Sequence, residues 1–181
     1  SPSSSPGDLS ERLQKHGFTY NGSIPGMVMT LPKEEISIDY SPGLTIKEVA
    51  NQNRFRHWKH VLYNHREGEP LQRDITYKYQ VAGAFHPGKR QFVGYLHYKP
   101  VAITSLLSAH GVAGIYSVIT LPDARRKGIG TAMTQFALKE AQRAGYSTAI
   151  LQSSKAGMNV YARIGFKVIF EFQSYVLSSR S

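Results

Sequence analysis

The sequence predicts a mixed α/β (α+β) fold in which helices flank a mostly antiparallel sheet. Three observations carry that expectation. Two apolar, β-rich runs, Gln91–Tyr98 and Val101–Ala109, stand close together and read as a hairpin. A third run, Val112–Leu121, closes at Pro122, and an amphipathic helix opens just past the basic glycine stretch Arg125-Arg126-Lys127-Gly128-Ile129-Gly130. A strand, a short helix and a final strand then follow in turn.

The first seven residues, Ser1-Pro2-Ser3-Ser4-Ser5-Pro6-Gly7, have linker composition. Asp8 with Glu11 reads as a capping box for a short helix through His16, stopped by Gly17. Between Phe18 and Leu31 the pairs Asn21-Gly22 and Pro25-Gly26 predict turns, with one strand at Met27–Leu31. Glu35–Tyr40 alternates polar and apolar and is a second candidate strand. Pro42-Gly43 is the expected boundary, dividing residues 1–43 from a domain over 44–177 and a tail over 178–181. The leading segment is expected to be the end of a preceding half-domain.

Leu44–Val49 reads as a strand. It leads into a helix around Arg54–Tyr63, where Phe55, Trp58, Val61 and Leu62 recur at helical spacing. A second helix is expected over Leu71–Ala84, then a turn at His86-Pro87-Gly88. The hairpin is expected to turn at Lys99-Pro100, and His110-Gly111 turns into the long strand. The helix from Gly128 to Ala144 should bury Ile129, Ala132, Met133, Phe136 and Ala137 and stop at Gly145. Ser147–Leu151 reads as a buried strand, Lys155–Arg163 as a helix and Phe166–Val176 as the last strand.

The composition narrows the function classes. With no cysteine among 181 residues there is no disulfide, no thiolate nucleophile and no cysteine metal site, and no metal is expected. No apolar run is long enough to span a membrane, so no membrane partner is expected. The formal charge of +10 suits an anionic partner, but no zinc finger, RNA-binding aromatic signature or helix-turn-helix pattern supports nucleic acid. A cytoplasmic location is the expectation.

The strand–basic loop–helix order has a specific physical meaning. N–H groups at a helix start have no intrahelical acceptor and lie at the positive end of the dipole. Glycines let a pyrophosphate approach that backbone, and Arg125, Arg126 and Lys127 attract it from a distance. A Walker loop is excluded because no Lys-Ser/Thr pair follows the glycine, and a dinucleotide fingerprint because Met133 stands where a third small residue is required.

What remains, Leu121-Pro122 followed by Arg125-x-x-Gly128-x-Gly130, resembles the signature of the GCN5-related N-acetyltransferases (GNAT). A second stretch, Asn159-x-Tyr161-x-x-x-Gly165-Phe166, resembles a later motif of that family. The resemblance covers roughly residues 44–177. It implies the family's fold, a twisted sheet with a splayed V-shaped opening, and acetyl-coenzyme A as cofactor. Val118, Ile119 and Thr120 would then run beside the pantetheine arm. The amides of Arg126 through Thr131, including Ile129, would hold the pyrophosphate, and Val118 N–H would polarise the thioester carbonyl. Tyr161 would be the general acid that protonates the departing thiolate, and Asn159 would orient the cofactor arm or Tyr161.

The implied activity is acetyl transfer to a small-molecule or peptide amine by direct attack in a ternary complex. The alternative is a non-catalytic CoA-sensing or protein-binding module on the same fold. No Asp or Glu lies on Val112–Leu121, so Tyr116, Ser117, His110 or an ordered water are the candidate bases. Trp58, Tyr116 and Ser117 are acceptor-pocket candidates, as is Tyr63, although core packing is the better reading of the tryptophan. Glu67, Glu69 and Asp74 are the acidic residues near the expected helices.

Overall fold

The computed structural model describes residues 6–64 and 88–177. They form two compact units, one of Met29–Ile150 and one of the flanking segments up to Val28 and from Leu151. The expected helix over 71–84, the acidic positions 67, 69 and 74, and His86-Pro87 lie outside the described residues.

In the larger unit β2 (Leu44–Glu48), β3 (Lys89–Leu96), β4 (Lys99–Ala109) and β5 (Val112–Thr120) pair antiparallel in that order. Both hairpins use two-residue loops with positive φ at each position: His97 (48°) with Tyr98 (68°), and His110 (49°) with Gly111 (79°). Such loops match the right-handed twist of the strands they join. The first turn therefore falls two residues before the expected Lys99-Pro100, and Pro100 sits in β4 opposite Tyr95.

Helix α2 (Gln52–Asn64) and helix α3 (Ile129–Arg143) cover opposite faces of this sheet. Strand side chains alternate between faces. Val93 and Ile103 pack with Trp58, Val61 and Leu62 of α2, whereas Phe92 meets Phe136 of α3 edge-to-face at 5.2 Å. A Cβ at Gly94 would lie 2.7 Å from Met133 Sδ, so α3 seats closely there. Ile129, Ala132, Met133 and Ala137 are buried as expected, while Phe136 is half-buried. Gly145, at φ +85°, ends the helix.

Glu35–Tyr40 forms no strand. Its backbone is satisfied by α3 side chains instead: Ile36 N–H donates to Gln142 Oε1 at 3.1 Å and Asp39 N–H to Gln135 Oε1 at 2.9 Å. Gln142 Nε2 donates to the carbonyls of Pro32 and Glu34, and Glu35 pairs with Lys139 at 2.8 Å. An alternating pattern cannot make a strand when no strand edge is offered to it.

The smaller unit holds α1 (Leu9–Lys15), most of β1 (Phe18–Thr30), α4 (Met158–Ile164) and β7 (Lys167–Leu177), with β6 (Thr148–Gln152) at the passage between units. β1 is one long strand, not a series of turns, paired antiparallel with β7 from Phe18↔Leu177 to Val28↔Lys167. Register shifts between Tyr20 and Ser23 and between Gly26 and Met27 absorb the turn-forming residues, with Gly22 at φ +107°. Gly26 is required by contact: a Cβ there would lie 2.5 Å from the Phe170 ring. Asp8 caps α1 by position only. Its side chain makes no cap hydrogen bond and pairs with Arg12 at 2.9 Å.

Candidate cofactor loop and active-site residues

β5 is interrupted where its chemistry is expected. Ser105 pairs with Tyr116 and Ile103 with Ile119, so Ser117 and Val118 together oppose Thr104. This two-against-one count is a β-bulge, and Ser117 takes a left-handed φ of 51°. The ladder breaks at Val118, the residue expected to face the thioester carbonyl. Val118, Ile119 and Thr120 are half-buried.

Beyond Thr120 the chain turns through a 3-10 segment, Pro122–Ala124. Arg125, Arg126, Lys127 and Gly128 are exposed, with Arg126 at φ 59° and Gly128 at φ 74°. Gly128 is the N-cap of α3 and offers no side chain to its N–H groups. The helix's first bond runs from Ala132 N–H to the Gly128 carbonyl at 3.0 Å, so the amides of Ile129, Gly130 and Thr131 precede the intrahelical ladder.

Three contacts shape the loop. Arg125 Nε donates to the Thr120 carbonyl at 3.1 Å, Lys127 Nζ donates to the Asp123 carbonyl at 3.1 Å, and Ser41 Oγ donates to the Lys127 carbonyl. The two glycines differ. Gly128 needs its positive φ, and a Cβ there would press on Ser41 Oγ at 3.4 Å. At Gly130 a Cβ would make only ordinary contact, 3.8 Å from Thr120 Oγ1. The chain's own packing does not require glycine at 130, as expected where the space beside the backbone serves a ligand. The residues from 125 to 131 thus fit a pyrophosphate: free helix-start amides, bare backbone and exposed cations.

In the smaller unit Tyr161 lies on α4, half-buried, and its ring passes so near Gly157 that a Cβ there would lie 2.8 Å away. Phe166 meets the ring edge-to-face at 6.1 Å. Burial pushes the phenol pKa up. Asn159 is exposed on the same helix. The other candidates fall in three settings. Trp58 is fully buried and stacked on Phe55 at 6.1 Å, so it is a core residue and lines no open surface. Tyr116 is 38% exposed, its ring laid over Gly114, and Ser117 is half-buried in the bulge. His110 is exposed in its hairpin turn, and Tyr63 is half-buried near the end of α2.

Sequence reasoning missed Ser41, which sits beside the expected boundary at Pro42-Gly43 yet holds the loop. It also missed the left-handed Ser117, since Asn, Asp or Gly is the usual signal for that conformation. Among the described residues no group of three or more His, Asp or Glu could hold a metal ion, and no helix is long and apolar enough to cross a membrane.

Residues 47–166 of the 181 match the family described as "Acetyltransferase (GNAT) family". The chain belongs to the GNAT acetyltransferase family. The match takes in β5, the 125–131 loop and Tyr161. Similar solved structures include a GCN5-related N-acetyltransferase from Kribbella flavida (22% identity, TM-score 0.66, covering 89% of this chain and 60% of that one). Another, from Sphaerobacter thermophilus, is 18% identical with TM-score 0.73, covering 96% of this chain and 56% of that one. A predicted acetyltransferase from Clostridium acetobutylicum, solved with acetyl-CoA, is 16% identical with TM-score 0.53, covering 70% and 91%. These likenesses show the GNAT fold. The chain spans less than two thirds of the length of the first two proteins. A search of curated proteins returned no match.

Proposed function

We propose that this GNAT chain transfers an acetyl group from acetyl-CoA to an amine by direct attack in a ternary complex. The observation that carries the reading is the start of α3, where uncapped amides, a glycine that packing does not require and three exposed cations follow directly from a bulged strand. Bound there, acetyl-CoA would supply an activated thioester carbonyl. The amides of Ile129, Gly130 and Thr131 would hold its pyrophosphate, with Arg125, Arg126 and Lys127 supplying long-range attraction. Val118 N–H, at the break in the ladder, is the donor for the carbonyl oxygen as negative charge builds on it.

In the balanced reaction the amine nitrogen forms a bond to the acetyl carbon, the carbon–sulfur bond breaks, and the sulfur takes a proton. Tyr161 is the acid in this reading, supported by its place in the stretch that matches the family. Burial raises its pKa, so the proton is held more tightly than by a free phenol and passes only as negative charge builds on the sulfur. The amine's surplus proton leaves through a group near Tyr116 and Ser117 or through water. With no cysteine in the chain, an acyl-cysteine route is closed.

Calorimetric titration with acetyl-CoA at two salt concentrations tests the site. Stoichiometric binding that weakens with salt is expected, followed by release of CoA thiol when amines are supplied. Binding without any thiol release across a broad amine panel would favour a CoA-binding module. No binding by the folded chain would overturn the proposal.

A further inference from the structure

Outside the loop, one row of the sheet is unlike the rest. Gln91 of β3 pairs with Ser105 of β4, and Ser105 pairs with Tyr116 of β5. Paired residues share a face. This row stands next to the Val93–Ile103 row and shares its face, the one covered by α2. Gln91 is 4% exposed and Ser105 is fully buried, yet among the described residues Gln91 Nε2 and Ser105 Oγ have no hydrogen-bond partner. Trp58 of α2, fully buried and packed with Val93 and Ile103, also has no partner for Nε1 among the described residues. The two orphaned groups of the row, on Gln91 and Ser105, are therefore direct cross-strand neighbours on this face.

Isolated buried polar groups without partners are costly and rare, and two side by side call for an explanation. The row is buried at Gln91 and Ser105 but open at Tyr116, immediately before the bulge at Ser117. We propose that Gln91 and Ser105, entered from Tyr116, recognise a neutral hydrogen-bonding group of the amine substrate. This rests on the acetyltransferase reading above.

The chemistry of the group follows from the donors. The Gln91 amide nitrogen only donates, and the Ser105 hydroxyl does either. They call for an acceptor oxygen, an amide carbonyl or a hydroxyl. None of the row's own residues is charged, so the row offers no counter-charge to a buried carboxylate or second ammonium. The row therefore selects amines carrying a neutral polar group and rejects their apolar and charged analogues.

The test is an NMR titration of the full chain, alone and with CoA. The Gln91 side-chain amide is assigned by its loss in Gln91→Met. Glycinamide and ethanolamine are expected to shift it saturably, and n-propylamine and glycine are not. In acetyl transfer, kcat/KM for glycinamide should exceed that for n-propylamine by about tenfold or more. Gln91→Met and Ser105→Ala should bring that ratio near unity with acetyl-CoA affinity unchanged. A silent Gln91 amide with both neutral probes would sink the inference. So would an equal response to glycine, or a preference that survives in folded variants, which would mean the groups hold internal water only. Should no amine be acetylated while the amide still shifts, the transfer reading fails and with it the row's role toward a substrate, leaving only its binding of the neutral group. Transfer without a shift overturns this inference alone.

Discussion

Ser41 Oγ donates to the Lys127 carbonyl, which fixes the last peptide before the α3 N-cap from a segment 86 residues earlier in the chain. The contact orients the loop and is solvent-exposed, so its loss should register in binding before it registers in stability. Ser41→Ala is expected to weaken acetyl-CoA binding about three- to tenfold while costing no more than ~1 kcal/mol of stability, an exposed hydrogen bond's range. Calorimetry and denaturant unfolding of the same variant check both halves.

The two loop glycines should separate folding from binding. Gly128→Ala forces a side chain into a left-handed φ and should destabilise by about 1–2 kcal/mol. Gly130→Ala has room and helix propensity in its favour, so stability should hold or rise by up to ~1 kcal/mol. Its added methyl would nonetheless stand where a pyrophosphate approaches, and Gly130→Glu should abolish acetyl-CoA binding by clash and repulsion. Retained micromolar affinity in Gly130→Glu would remove the loop from the cofactor site.

Tyr161→Phe should lower turnover at least ~tenfold with acetyl-CoA affinity nearly intact, since only the proton donor is lost. Burial raises the phenol's pKa. The protonated form therefore persists to higher pH than in a free phenol, and the alkaline limb assigned to Tyr161 should lie above ~10. A pH–rate profile of wild type and variant decides it. An unchanged rate in Tyr161→Phe would exclude the acid role.

Glu48 and Arg90 provide a pH signature of folding. Arg90 bonds both Glu48 oxygens at 2.8 and 2.7 Å and reaches Glu140 at 2.7 Å. The hydrogen bonds to Arg90 hold the Glu48 carboxyl below its usual range. A depressed folded-state pKa contributes stability above the unfolded pKa of ~4.3 and loses it as pH falls through the folded value. The melting-temperature gap between wild type and Glu48→Gln should be constant near neutrality and shrink with acidification below that point. A gap that stays constant into strong acid would show the pair contributes nothing through charge.

Much of the architecture was legible in the chain because its determinants are local. The β5–loop–α3 order needs only an apolar run, a proline and glycines, and the hairpin strands announce themselves by composition. Boundaries moved by one to three residues, as they do where helix ends fray and turns compete.

What could not be read depends on partners remote in sequence. Phe18–Thr30 became one strand because β7, about 150 positions away, supplies its ladder. Glu35–Tyr40 stayed irregular because glutamines of α3 reached its backbone first. Of the candidate site, the loop residues and Tyr161 were visible as motifs. The bulge at Ser117, the tether from Ser41 and the orphaned row of Gln91 and Ser105 arise only from strand register and packing. Backbone chemistry within a few residues is written in the sequence by itself. Which buried polar group finds a partner, and which is left waiting for one, is decided only when distant strands come side by side.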